Sequence, residues 1–235
     1  IRSAITPRTR MVVINSPHNP ACTVMSRSDL QQLAALAEEH DLLVLSDEVY
    51  EHLVYDGVAH ASVLSEPALR ARSLAVFSFG KALHATGLRV GYCIAPASLT
   101  VELRRVHQFN TFTIATPLQH AIAAYLAARP DAYAGLPGFF TAKRSLLTQG
   151  LAGSALRVLP SQGTYFTLVD YSGSRALGAL EDVEAARQLL EQGGVAAIPL
   201  APFYREPVKH RLLRLCFAKQ DATLQQAIGR LQALQ

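Results

Sequence analysis

The sequence predicts an α/β fold: a mostly parallel sheet flanked by helices, followed by a smaller C-terminal α+β region. Three observations carry this reading. Short apolar runs recur at Met11–Asn15, Leu42–Leu45 and Leu74–Phe79, as in strands buried on both faces. One amphipathic stretch separates the first two, which makes a strand–helix–strand unit. Beyond Gly135-Leu-Pro-Gly138 the order of strands and helices becomes mixed, and one strand alternates in character. Half of the 235 residues are apolar and 17% are charged, so the chain is globular and can bury a substantial core.

Each element follows from local signals. Met11–Asn15 ends in a turn-rich loop, Asn15-Ser-Pro-His-Asn-Pro20. The next helix opens on a capping pair, Ser26 and Asp29, and sets Leu30, Leu33, Leu36 and Ala37 on one face. Leu42–Leu45 runs into Ser46-Asp-Glu48, Leu74–Phe79 is the third strand, and Val90–Ala95 reads as a fourth. Residues 98–128 are helical in pattern, with Pro117 interrupting and Pro130 closing the stretch. In the second region a helix over Thr141–Leu151 precedes strands at Leu156–Leu159 and Tyr165–Val169. A helix over Asp182–Gln192 stops at Gly193-Gly194. Strands near Val195–Ile198 and Leu212–Phe217 then lead to a last helix, capped by Asp221, with Leu224, Ile228 and Leu231 inward. The expected domains are residues 1–130 and 131–235.

Composition excludes several classes of function. The net charge of +4 comes from scattered Lys and Arg, so no nucleic-acid or membrane-surface partner is expected. Cys22, Cys93 and Cys216 lie far apart and match no metal spacing; reduced thiols in a cytoplasmic protein, with no metal, are expected. The longest apolar run, Ala121–Ala128, is far too short to span a bilayer.

Open parallel sheets bind ligands at the carboxyl ends of their strands. Here the first strand leads to Asn15 and Asn19, the second to Asp47 and Tyr50, the third to Ser78 and Lys81. A desolvated lysine gives up its proton, and the neutral amine attacks carbonyls. A carboxylate such as Asp47 can hold a pyridine nitrogen protonated. Tyr50 and Asn19 can hydrogen-bond a phenolic oxygen, and Ser78 with Arg89 suits a phosphate. Together these types fit pyridoxal phosphate. Taken singly, each has a plainer reading. Lys81 reads as a solvated loop residue, Asn19 as a turn residue, Tyr50 as core edge, and Asp47 as the cap of a helix begun by Glu48 and Val49. Arg89 and Arg214 read as members of structural ion pairs, and His18, His52 and His84 as packing groups or as groups that support the binding residues from behind.

Asn15-Ser-Pro-His-Asn-Pro20, Ser46-Asp-Glu-Val-Tyr50, Ser78-Phe-Gly-Lys81 and Thr86-Gly-Leu-Arg-Val-Gly-Tyr92 resemble the signature blocks of class I/II aminotransferases of fold type I. Ser161-Gln-Gly-Thr-Tyr-Phe166 and Arg214-Leu-Cys-Phe-Ala218 resemble later blocks of that family. The nearest subgroup is the methionine/kynurenine/glutamine type, on Asp47–His52, His60-Ala-Ser-Val63 and Arg214–Lys219. The resemblance implies a fold type I pyridoxal-phosphate enzyme. Lys81 would form the internal aldimine and move the substrate Cα proton. Asp47 would pair with the ring nitrogen, Asn19 and Tyr50 with the phenolate, Ser78 and Arg89 with the phosphate, and Arg214 with the substrate carboxylate. The implied activity moves an amino group between a methionine-like, aromatic or other large neutral amino acid and a 2-oxo acid, in a homodimer. A β-eliminating C–S lyase, or an inert truncated fragment, is the alternative.

The chain departs from the family pattern in three places. Cys22 stands where the family carries glycine; a positive φ there would cost cysteine roughly 1 kcal/mol. Leu88 replaces a bulky aromatic. Relatives also carry well over a hundred residues before the strand that begins at Met11. The chain is therefore expected to lack an N-terminal part and to hold about four strands of the large-domain sheet.

Overall fold

β1 (Met11–Asn15), α1 (Arg27–Glu39) and β2 (Leu43–Asp47) form the strand–helix–strand unit in the computed structural model, which describes residues 1–206 and 208–233. α1 begins at a reciprocal cap: Asp29 N donates to Ser26 Oγ at 3.1 Å, and Ser26 N to Asp29 Oδ2 at 2.7 Å. Its buried stripe is Leu30, Leu33, Ala34 and Ala37, the i, i+3, i+4, i+7 set. Leu36, expected on that face, is only half-buried, because it lies roughly 100° round the helix from the centre of the stripe.

α2 (Pro67–Arg70) leads into β3 (Ser73–Ser78), parallel to β2 as β2 is to β1. α3 (Phe79–Ala82) and a short 3-10 turn, Thr86–Leu88, then turn the chain back into β4 (Gly91–Ile94), antiparallel to β3. The sheet order is β1-β2-β3-β4, a parallel sheet with an antiparallel edge strand. Ile14, Val44, Ala75 and Phe77 from the strands pack with the α1 stripe, Val63 and Leu69 in one core. α4 (Ala97–Asn110) and α5 (Thr116–Ala128) follow. Pro117 sits in the first turn of α5, where its missing N–H costs nothing, so it starts a helix instead of interrupting one.

One buried carboxylate ties this unit together. Glu48, directly after β2, is 1% exposed. Its Oε1 accepts from Ser46 Oγ at 2.9 Å and Val63 N at 3.0 Å, and its Oε2 pairs with His60 Nε2 at 2.8 Å. Burial alone would raise its pKa, but hydrogen bonds from His60, Ser62 and Val63 outweigh it and hold the carboxyl below the usual glutamate value.

The second unit comprises α6 (Leu136–Gly150), β5 (Arg157–Val158), β6 (Phe166–Asp170), α7 (Asp182–Gly193), β7 (Ile198–Pro199), β8 (Leu212–Cys216) and α8 (Asp221–Gln232). Contacts group Pro137–Gln235 with the short segment His18–Thr23, and Ile1–Pro17 with Val24–Leu136. Its sheet, β5-β6-β8-β7, is antiparallel throughout. α6 starts earlier than Thr141 because Pro137 occupies its second position, where no intrahelical N–H is needed. Asp221 is not the cap of α8: Gln220 holds that position, and Asp221 Oδ1 instead meets Lys143 Nζ at 2.6 Å. Leu224, Ile228 and Leu231 are buried as expected. Cys22 does adopt a positive φ, +61°, and is 1% exposed, so the strain of about 1 kcal/mol is real. Burial pushes its thiol up to about pKa 11.

α7 ends at Gly194, left-handed at φ +62°. A Cβ there would be strained by the backbone and would collide with Arg230 Nη1. Gly194→Ala is expected to lower the unfolding free energy by about 1–2 kcal/mol, measured by urea denaturation; no loss would mean that the helix stop is not set by this residue. Glu48 gives a second expectation. Its folded pKa lies below the unfolded value of about 4.3, so its stabilisation is complete above that value and lost as pH falls through the depressed one. Glu48→Gln should therefore flatten the acid limb of the stability–pH curve, and an unchanged limb would refute the assignment.

Candidate active site

Register brings the strand ends of the first unit level. Asn15 pairs with Asp47, and Asp47 with Val76; β3 then runs on to Ser78. Asp47 is half-buried. Its carbonyl accepts from Asn15 Nδ2 at 2.9 Å and Ser16 N at 3.1 Å, and its Oδ1 accepts from Val49 N at 3.2 Å. No helix begins at Glu48: residues 49–52 are turns, so Asp47 closes an Asx-type turn. Tyr50 lies in that turn, 3% exposed.

Ser78 ends β3 and Lys81 lies in α3, half-buried. Lys81 Nζ is 5.8 Å from the centre of the Tyr50 ring, so the fold brings together two residues that are 31 apart in sequence (81 − 50). Glycines make this loop possible. A Cβ on Gly80 would lie 3.0 Å from Thr86 Cα and 3.2 Å from Ser78 Oγ, and one on Gly91, paired with Ser78, would collide with Phe77 O. Arg89 is less engaged: it is exposed, left-handed at φ +55°, and its Nη1 donates to Thr86 O at 2.9 Å.

Asn19 and Arg214 meet in the second unit. Arg214, on β8, donates through Nη1 to Asn19 Oδ1. Its guanidinium stacks 4.0 Å above the Phe166 ring. Both arginines therefore bond neutral oxygens here, a carbonyl and an amide.

Sequence reasoning missed the polar cluster beside the Asp47 turn. Besides Glu48 and His60 it contains Glu51, whose Oε1 accepts from Tyr92 OH at 3.3 Å and lies 3.4 Å from His52 Nε2. His52 stacks on Tyr133 with centroids 4.1 Å apart, so it packs, as one reading of it held. Burial raises the pKa of Glu51 and Tyr92 and lowers that of His52. The available signal was Ser46-x-Glu48 followed by His60-x-Ser-Val63, which pairing between distant segments alone could connect.

The chain matches the aminotransferase class I and II family over residues 1–231. It is 49% identical over 230 residues to a methionine aminotransferase of Escherichia coli (strain K12), covering 98% of this chain and 59% of the relative. It is 36% identical over 244 residues to kynurenine–oxoglutarate transaminase 1 of Mus musculus, covering 96% and 57%. A crystal structure from Escherichia coli, of a protein with methionine aminotransferase function, superposes with a TM-score of 0.94 at 48% identity, over 99% of this chain and 60% of that one. N-succinyldiaminopimelate aminotransferase from Mycobacterium tuberculosis superposes at 0.92 and 37%, over 100% and 60%. The chain thus spans 57–60% of the length of these relatives. Sequence, fold and strand-end geometry agree: this chain belongs to the class I and II aminotransferase family and has the fold type I architecture.

Proposed function

We propose that this chain carries the reacting lysine and the ring- and carboxylate-binding residues of a pyridoxal-phosphate-dependent aminotransferase. The observation that carries the reading is the convergence of Asp47, Tyr50 and Lys81 at the carboxyl end of one parallel sheet. The donor set fits the group. With Oδ1 engaged by Val49, Asp47 offers Oδ2 to a protonated ring nitrogen. The Tyr50 hydroxyl and the Asn19 amide are donors for a phenolate, and Ser78 and Arg89 are donors for a phosphate. The cofactor, when bound, supplies an electron sink for charge that develops at the substrate Cα.

The chain's own residues do the rest. Asp47 keeps the ring nitrogen protonated, because a carboxylate beside it favours the charged form. Lys81 would take the proton from the substrate Cα as a base and then give it up again as an acid. Arg214 takes the α-carboxylate in a bidentate pair. Its bond to Asn19 and its seat on Phe166 fix the guanidinium plane beforehand, which lowers the ordering cost of binding. The donor is methionine, an aromatic or another large neutral amino acid, a choice supported by the 49% identical methionine aminotransferase; the acceptor is a 2-oxo acid. A cytoplasmic homodimer, with residues 1–130 as the cofactor domain and 131–235 as the small domain, belongs to the same reading.

Borohydride treatment of the full-length protein with pyridoxal phosphate is expected to fix the cofactor onto the Lys81 peptide. Lys81→Ala should lose both that mark and transamination; a mark elsewhere, or normal turnover in the variant, would overturn the assignment. Release of pyruvate and ammonia from cystathionine without a 2-oxo acid would point to a lyase instead. Arg214→Lys should raise KM for the amino acid roughly 10- to 100-fold, the equivalent of one charged hydrogen bond. An unchanged KM would place the carboxylate elsewhere.

A further inference from the structure

The Asp47–Tyr50 turn is bracketed by groups that the proposed chemistry does not use. Residue 48 is engaged at every polar atom. Its N donates to Val76 O on β3 at 2.9 Å, its carbonyl accepts from Glu51 N at 2.9 Å, and its carboxylate takes Ser46, Val63 and His60. These partners lie on β2, on β3, in the turn itself and in the segment that closes the loop after residue 50. Both side chains of the pair are withdrawn from water, with Glu48 at 1% exposure and His60 at 11%.

A buried ionised carboxylate is costly to desolvate and is often replaceable by apolar groups without loss of stability. What an apolar side chain cannot supply is direction: hydrogen bonds fix Glu48 from several sides, and it is covalently joined to Asp47 and two residues from Tyr50. The imidazole adds a constraint of its own. With Nε2 donating to the carboxylate, His60 Nδ1 is buried without a partner among the described residues, a tolerable state for a bare acceptor nitrogen and a poor one for an N–H. The pair thus favours one arrangement, with the charge on Glu48 and the Nε2–H tautomer on His60.

We propose that Glu48, clamped by His60 and Ser46, is a positioning residue that fixes the Asp47–Tyr50 turn in the geometry that receives the cofactor ring. The inference rests on the proposed function, and it assigns Glu48 and His60 no contact with cofactor or substrate. A Gln at position 48 keeps the shape but turns one oxygen into an N–H₂ facing His60. The imidazole must then accept at Nε2 and bury an unpaired Nδ1–H.

The test is equilibrium binding of pyridoxal phosphate to the full-length protein, by absorbance titration, for wild type, Glu48→Gln, His60→Gln and Ser46→Ala. Glu39→Gln serves as a control, since it disturbs only half-exposed or exposed pairs, with Arg2 and His40, away from the Asp47–Tyr50 turn. Circular dichroism identifies the variants that are folded. Folded Glu48→Gln and His60→Gln are expected to bind about tenfold more weakly than wild type, with Glu39→Gln unchanged and borohydride still marking Lys81; loss of an outer-layer partner has effects of this size at other sites. Should both fail to fold, Ser46→Ala, which removes one hydrogen bond to the Glu48 carboxylate, is expected to weaken binding about threefold. Folded variants that bind like wild type would overturn the positioning role and leave the aminotransferase reading intact. A wild type that neither binds the cofactor nor takes the borohydride mark would overturn both.

Discussion

Backbone register between β1, β2 and β3 is the constraint from which the site follows. Along β2 the side chains alternate, with Val44 and Ser46 buried and Leu43, Leu45 and Asp47 less so. A slip of one residue would exchange Asp47 for Ser46 or Glu48 on that face. The parallel ladder that pairs Asn15, Asp47 and Val76 prevents this, because it would expose Val44 and bury a charged side chain without its partners. Hydrophobic packing of α1 against the strands therefore determines which polar residues stand at the sheet's carboxyl end.

Around that end the chain departs from the rules that govern its core. Glu48 is a charge below the surface, and Gly91 leaves space that any side chain would need. In the second unit Cys22 accepts a left-handed backbone that glycine would take freely. Such departures persist where the surrounding structure over-determines them. For Glu48 the surroundings are visible: its bonds to Ser46, His60 and Val63 offset the cost of burial. For Cys22, burial of the thiol and its bond to Pro20 O at 3.2 Å are the compensations present.

The fold was legible because its signals are local and strong. The Ser26–Asp29 box, the apolar strands and the Gly194 stop each lie within a few residues. Pro117 and Pro137 misled the reading, since a proline breaks a helix interior yet suits its first turn, and the sequence does not say which of the two it occupies. The candidate site was legible as a set of residue types at strand ends. The Glu48–His60 pair was not, because neither member belongs to a periodic pattern and their link depends on how a twelve-residue excursion (60 − 48) folds back. Arg214 and Asn19 are 195 positions apart, a pairing that only the folded second unit reveals.

A crystal structure of the full-length protein with pyridoxal phosphate tests the central claim most directly. The account predicts the Asp47 carboxylate at about 2.7–2.9 Å from the ring nitrogen, with the Lys81 amine nitrogen joined to the former aldehyde carbon. A ring nitrogen turned away from residue 47, or a cofactor with no bond to residue 81, would contradict it.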